Sequence, residues 1–101
     1  MIVYNVTYQV AHDLLDAWRS WLTDSRIPAM KQTGLVPDHR IFQLLDQDET
    51  EGLTYVVQYH LNDLESFRAF EQRFPHLRNE PVPEAFFPRC MAFQTVMSEA
   101  G

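Results

Sequence analysis

The sequence is poor in cysteine, glycine and basic residues, and each shortage excludes something. One cysteine, Cys90, in 101 residues cannot form an internal disulfide, which fits a reducing compartment. A lone thiol of this kind reads as a small buried hydrophobe rather than a nucleophile. Three glycines leave no material for a phosphate-cradling loop, and neither a nucleophile elbow nor a paired-cysteine site is present. Eight bases against fourteen acids give a net charge of −6. That balance speaks against nucleic acid and against an anionic membrane surface, because both require a basic patch. No apolar run is long enough to span a bilayer. The N-terminal run lacks a preceding basic region and is interrupted by Asn5, Thr7 and Gln9, so it does not read as a signal peptide. The expectation is a cytoplasmic protein with no cofactor, no metal, no nucleic-acid partner and no membrane association.

What the sequence does hold is apolar and aromatic. At 46% hydrophobic and 13% aromatic it can build a core, and its length suits a single domain over residues 1–101. Seven Phe, four Tyr and two Trp are more than a small monomer readily hides, which points to association with a second copy.

The clearest local signal is the opening stretch. Ile2, Tyr4, Val6, Tyr8 and Val10 alternate with Met1, Val3, Asn5, Thr7 and Gln9. Period two with β-branched and aromatic residues is a strand signature. A helical period follows, with Leu14, Leu15, Trp18, Trp21 and Leu22 on one face and Asp13 near its start. Pro28 is expected to end or kink this helix near Arg26-Ile27, with a last turn running to Thr33 and Gly34 as its C′ stop. A second strand is expected over Val36 to Asp46, an acidic hairpin loop over Gln47 to Gly52, and a third strand over Leu53 to Leu61. Asn62 and Glu65 suggest a variant capping box. Leu64, Phe67, Phe70, Phe74 and Leu77 form the stripe of a second helix, restarted at Pro75. Four prolines between Pro75 and Pro88 make the next stretch irregular, with Phe86-Phe87 as a candidate dimer contact. Arg89 to Met97 is the fourth strand.

The order is β-α-β-β-α-β. Right-handed crossovers turn it into an α+β, ferredoxin-like domain. Its four-stranded antiparallel sheet has strand order 4-1-3-2 and carries both helices on one face. The other sheet face is left bare. It holds Val3, Asn5 and Thr7. If the hairpin pairs His39 with His60, Ile41 with Gln58 and Gln43 with Val56, those residues join it, and Phe42 and Leu44 turn to the helices. A one-residue slip inverts this assignment. A face of this mixed character meets another subunit or lines a cavity, and two such sheets facing across a two-fold axis enclose one.

Asn5, Thr7, His39, Gln58 and His60 are therefore the candidate ligand-binding residues. Amide, hydroxyl and imidazole groups on an enclosed face can orient a small polar molecule, and His60 can serve as a base near neutral pH. The blander alternative is a water-bridged dimer seam. His39 beside His60 invites a metal, but no acid or cysteine accompanies them in the pattern and the usual ligand spacings are missing. Trp18, Trp21, Tyr4, Tyr8, Tyr55 and Tyr59 read as core, with the tyrosine hydroxyls reaching the rim. Arg26 can bind a carboxylate, or can simply sit at the negative end of its helix.

These same residues carry a resemblance. Met1 to Thr7, the Trp18-x-x-Trp21 pair, Ile27-Pro28, Gly34-Leu35, Thr54 to Tyr59 and Ala92 to Thr95 are similar to the motifs of a small bacterial family known as a domain of unknown function. The resemblance spans nearly the whole chain and implies the dimeric α/β-barrel form of the ferredoxin-like fold, with no assigned activity. At the level of fold the chain is similar to the antibiotic-biosynthesis monooxygenases, the stress-responsive barrel proteins and the ethyl-tert-butyl-ether-degradation group. Many of those have a His just before a helix-ending Pro. Here that position belongs to Arg26-Ile27-Pro28, which weakens any transfer of catalysis. The expectation is a small homodimeric barrel with a structural or small-ligand-binding role. The alternative is a cofactor-independent monooxygenase or isomerase acting on a small aromatic molecule in the barrel lumen.

Overall fold

Strand β1, Ile2–Ala11, runs through the interior of the sheet, as its alternation requires. The computed structural model describes every residue from Met1 to Gly101. Every second residue of β1 is buried, and Tyr4, Val6 and Tyr8 are wholly inaccessible. The sheet order is β2-β3-β1-β4, with β2 at Asp38–Gln43, β3 at Gly52–Leu61 and β4 at Cys90–Ser98. All three pairings are antiparallel. This is the expected ferredoxin-like α+β arrangement.

The chain between β1 and β2 forms one winding helical run. It opens with a 3-10 turn at His12–Leu14 and continues as α1, Leu15–Trp21. Leu22–Arg26 then widens into a π-type turn, closed by the Ile27 N–H on the Leu22 carbonyl, and α2 follows at Ile27–Gln32. The regular α-helix is interrupted ahead of Pro28, near Arg26-Ile27 as expected, and the helical run resumes through Pro28 as α2. Pro28 has no N–H to donate, and the widened turn brings it into the opening of α2, where that loss costs least. Gly34 ends the run with φ of 76°, the left-handed conformation that glycine adopts freely.

The second helical unit comprises α3, Leu64–Arg73, and α4, Pro75–Asn79. Its cap is Asp63 rather than Asn62. The Asp63 Oδ1 accepts from the Ser66 N–H at 2.8 Å, which satisfies a donor that the first helical turn leaves free. A further 3-10 turn lies at Glu84–Phe86. Phe86 stands edge-on to Trp21, while Phe87 is exposed, so only the second of this pair is free to meet a partner.

The core lies between the sheet and the helices. Tyr4 lies opposite Tyr59 and Tyr8 opposite Tyr55 on β1 and β3. Trp18 stacks on Tyr55 with ring centroids 4.9 Å apart, and Phe70 meets Tyr4 at 5.6 Å. Such pairs add about 0.5–1.5 kcal/mol each beyond their area burial. Cys90 is fully buried, and burial pushes its thiol up to about 11, so it is a core residue and a poor nucleophile. The whole molecule measures 40 × 31 × 18 Å. The short dimension is one layer of helices on one sheet, so one broad sheet face stays uncovered.

The β2–β3 register differs by one residue from the expected one. Asp38 pairs with His60, His39 with Tyr59, Arg40 with Gln58 and Phe42 with Val56. His39, Ile41 and Gln43 therefore turn to the helix side, and Asp38, Arg40 and Phe42 to the bare side. The cause lies in the exposure of an edge strand. Ile41 and Phe42 are 46% and 45% exposed, so neither face of β2 is strongly selected by burial. The Leu44 N–H donates to the Thr54 carbonyl at 2.9 Å, extending this ladder towards the acidic loop.

Candidate functional site

Two places combine polar chemistry with shelter. The first is the bare sheet face. β1 contributes Val3, Asn5 and Thr7. Opposite them on β3 are His60, Gln58 and Val56, and on β4 Met97, Thr95 and Phe93. Four of the five residues expected to bind a ligand, Asn5, Thr7, Gln58 and His60, thus share one face, and all four are half-buried. Asn5 and Gln58 are directly paired.

His39 is not among them. The register carries it to the opposite face, where its Nδ1 is buried without a partner. Desolvation, then the neighbouring Lys31, hold its pKa below the ordinary histidine value despite the opposing pull of Asp38. The side-by-side histidine pair that suggested a metal does not form. Asp38 takes the vacated position, its Oδ2 3.8 Å from the His60 Nδ1. Sequence reasoning also missed Arg40 and Phe42 on this face, both through the same slip. Phe93, Met91 and Met97 are 49%, 42% and 38% exposed. Their alternation in β4 was legible, but they were not assigned to a site.

The second place lies on the helix side. Arg26, in the π-type turn, is the only charged residue in the buried set, at 3% exposure. π-type turns recur at functional sites because they turn an extra side chain inward. The Arg26 Nη1 donates to the Leu77 carbonyl at 2.8 Å. Its Nε and Nη2 are buried without hydrogen-bond partners, and no carboxylate lies within ion-pair distance. The guanidinium carbon sits 5.8 Å from the Tyr59 ring centroid, a modest cation–π contact. The Tyr59 hydroxyl is likewise buried and unpartnered.

The neighbouring tyrosines are satisfied. Tyr4 donates to Gln94 Oε1 at 2.5 Å and Tyr8 to the Pro81 carbonyl at 2.6 Å. Burial raises the pKa of both phenols, and it pushes Tyr59 up to about 12 even though Arg26 opposes the shift. The expectation that the tyrosine hydroxyls reach the rim is corrected for Tyr4, Tyr8 and Tyr59, which are held among Pro81, Gln94 and Arg26, while the Tyr55 hydroxyl accepts from the exposed Arg19. Beside Arg26 is a cavity of about 250 Å³, bounded by the first helical run, α4 and the Val82-Pro83 segment.

Comparison with known proteins agrees with the class that this architecture defines, a ferredoxin-like α+β domain. An ethyl tert-butyl ether degradation family protein from Bacillus halodurans superposes with a TM-score of 0.68 at 12% identity, covering 99% of this chain and 100% of that one. SnoaB, a cofactor-independent oxygenase from Streptomyces nogalater, gives 0.64 at 17% identity, over 99% and 94%. A dimeric ferredoxin-like protein from an uncultured marine organism gives 0.58 at 16%, over 95% and 92%. At such identities the likeness is one of fold. No curated protein matches the sequence significantly. Residues 1–100 match the family described as Domain of unknown function (DUF4286), and the chain belongs to that family.

Proposed function

We propose that the protein works as a homodimeric barrel. In it the bare sheet faces of two copies close over a lumen that holds a small molecule or serves a structural role. The observation that carries this reading is the bare face itself. Exposed Phe42, Met91, Phe93 and Met97 surround half-buried Asn5, Thr7, Gln58 and His60.

Two physical arguments support closure by a second copy. Only 17 of 101 residues are buried in the isolated protomer, a thin core for so aromatic a chain. The four strands of the face are up to ten residues, about 33 Å, long, and the exposed apolar side chains along them are of the kind a second copy covers. The marine neighbour described as dimeric supports the same assembly. Localisation in the cytoplasm accords with a single thiol that is not used in a disulfide, and no helix is long and apolar enough to cross a membrane.

Native mass spectrometry tests the reading. The expected result is a species of twice 11.9 kDa, with or without a small adduct that distinguishes the ligand-binding from the structural form. A monomer at micromolar concentration overturns it.

A further inference from the structure

The register that carries His39 off the bare face brings Arg40 onto it. Arg40 pairs with Gln58, Gln58 with Asn5, and Asn5 with Thr95, so one polar row crosses all four strands. Among the paired strand residues of this face, Arg40 is the only arginine or lysine and Asp38 the only carboxylate. Asp38 stands beside His60, and Arg40 makes no ion pair. Arg40 is exposed in the protomer, and Asn5 and Gln58 are half-buried. None of these three side chains makes a hydrogen bond within it. On an open sheet, water satisfies them. Once a second copy covers the face, that water is lost, and an enclosed guanidinium without an anion is costly. We infer, on the strength of the dimer reading, that the covered face binds the carboxylate of a small organic acid, held by the Arg40 guanidinium and the Gln58 and Asn5 amides.

The chemistry of the row selects that class of ligand. A guanidinium presents a fork of N–H groups that matches a carboxylate with two parallel hydrogen bonds, and the two amides each add NH₂ donors. One cation per protomer suits a monoanion, and a polyanion finds no basic track. Half-buried Val3 and Val56 flank Asn5 and Gln58 along their strands, so they lie where the apolar body of the acid rests. Adjacent strands are about 4.8 Å apart, which brings a one-ring body within reach of both. The acidic Asp48 and Glu51 border a separate cavity of about 390 Å³ with Gln9, Thr54 and Met91. Gln9 is four residues along β1 from Asn5, about 13 Å, which exceeds the screening length at physiological salt. That end of the face therefore repels an anion without weakening the Arg40 row.

The test uses the intact protein with benzoate, and with benzamide as its neutral counterpart. The side-chain amide NMR signals of Asn5 and Gln58 are assigned by their loss in Asn5→Ser and Gln58→Glu. Benzoate should move both signals saturably, with one bound per protomer by calorimetry, while benzamide moves neither. Arg40→Gln removes the charge at a position exposed in the protomer, so the fold should survive and benzoate affinity should fall by about tenfold or more. Arg40→Lys, which keeps the charge but loses the fork, should fall between the two. Asp38→Asn removes the one carboxylate of the face and should tighten benzoate binding.

Amide signals unmoved by benzoate overturn the inference, as does wild-type affinity in Arg40→Gln. So does a dimer that dissociates in Arg40→Gln or Asp38→Asn, because a carboxylate of the second copy would then be the counter-ion of Arg40. Assembly is read separately by native mass. A dimer blind to benzoate defeats this inference and leaves the dimer standing, whereas a monomer defeats the dimer reading and takes the enclosed site with it.

Discussion

Asp38 faces His60 across the β2–β3 ladder, its Oδ2 3.8 Å from the imidazole Nδ1. That pairing determines which side chains look into the bare face, so it should be measurable as an energetic coupling. A double-mutant cycle of Asp38→Asn and His60→Gln, read by urea unfolding, should give a coupling of up to about 1 kcal/mol. The carboxylate is 63% exposed, which keeps the value small. The cycle of His39→Gln with His60→Gln should give a smaller one, because these residues lie on opposite faces. A larger coupling for the two histidines would restore the slipped register.

His39 makes stability depend on pH in a definite direction. Its folded-state pKa is depressed, chiefly by desolvation and then by Lys31, so below the ordinary histidine value near 6.5 the unfolded chain binds more protons than the folded one. Stability therefore rises with pH across this window. The contribution is fully present above the unfolded value and is lost as pH falls towards the folded one. Urea midpoints of the wild type should drop between neutral and mildly acidic pH, and His39→Gln should flatten part of that drop. A variant with an unchanged pH slope would show that His39 is not desolvated.

Pro28 should be energetically mild where it is. In an ordinary helix interior proline costs about 3 kcal/mol, and its removal should then stabilise by that amount. The π-type turn over Leu22–Arg26 already relieves the conflict, so Pro28→Ala should shift stability by less than about 1 kcal/mol. A gain near 3 kcal/mol would mean that the helix is strained at this point.

Gly52 is needed for space rather than for an unusual φ. A Cβ added there would lie 2.0 Å from the Val10 carbonyl oxygen, a backbone atom of the neighbouring strand that has no room to retreat. Gly52→Ala should destabilise by about 2 kcal/mol or more in urea or thermal unfolding. A neutral result would show that the two strands separate at this end.

How much of this was legible in the chain depended on burial. β1 is buried on one face and half-covered on the other, so its alternation was unambiguous, and Asn5, Thr7, Gln58 and His60 were correctly placed together. β2 is an edge strand on which Ile41 and Phe42 are almost equally exposed. Its alternation therefore carried no reliable sign, and His39 was assigned to the wrong face. Asp63 takes the cap one residue later than expected because Asn62 and Asp63 are both competent side chains for it. Arg26 was read either as a carboxylate binder or as a cation at the negative end of its helix. Its burial was not read although Arg26 follows Leu22 by four residues and Trp18 by eight, on the same helical face, because a charged side chain is taken as exposed by default.

The bare face gives the remaining prediction. Phe93 lies opposite Thr7, on the edge strand β4, and is 49% exposed. In a two-sheet barrel it becomes a desolvated interface anchor, where an aromatic side chain typically contributes 2 kcal/mol or more. Phe93→Asp replaces that apolar anchor with a charge, so it should weaken the dimer by at least about thirtyfold in sedimentation or native mass measurements. Phe87→Asp, at the exposed residue of the Phe86-Phe87 pair, tests the competing contact by the same readout. His60→Gln should leave the mass of the dimer unchanged and remove any small molecule that co-purifies with it. Loss of assembly in Phe87→Asp but not in Phe93→Asp would mean that the copies meet along the proline-rich segment. The sheet face would then remain open, and Asn5, Thr7, Gln58 and His60 would line no lumen.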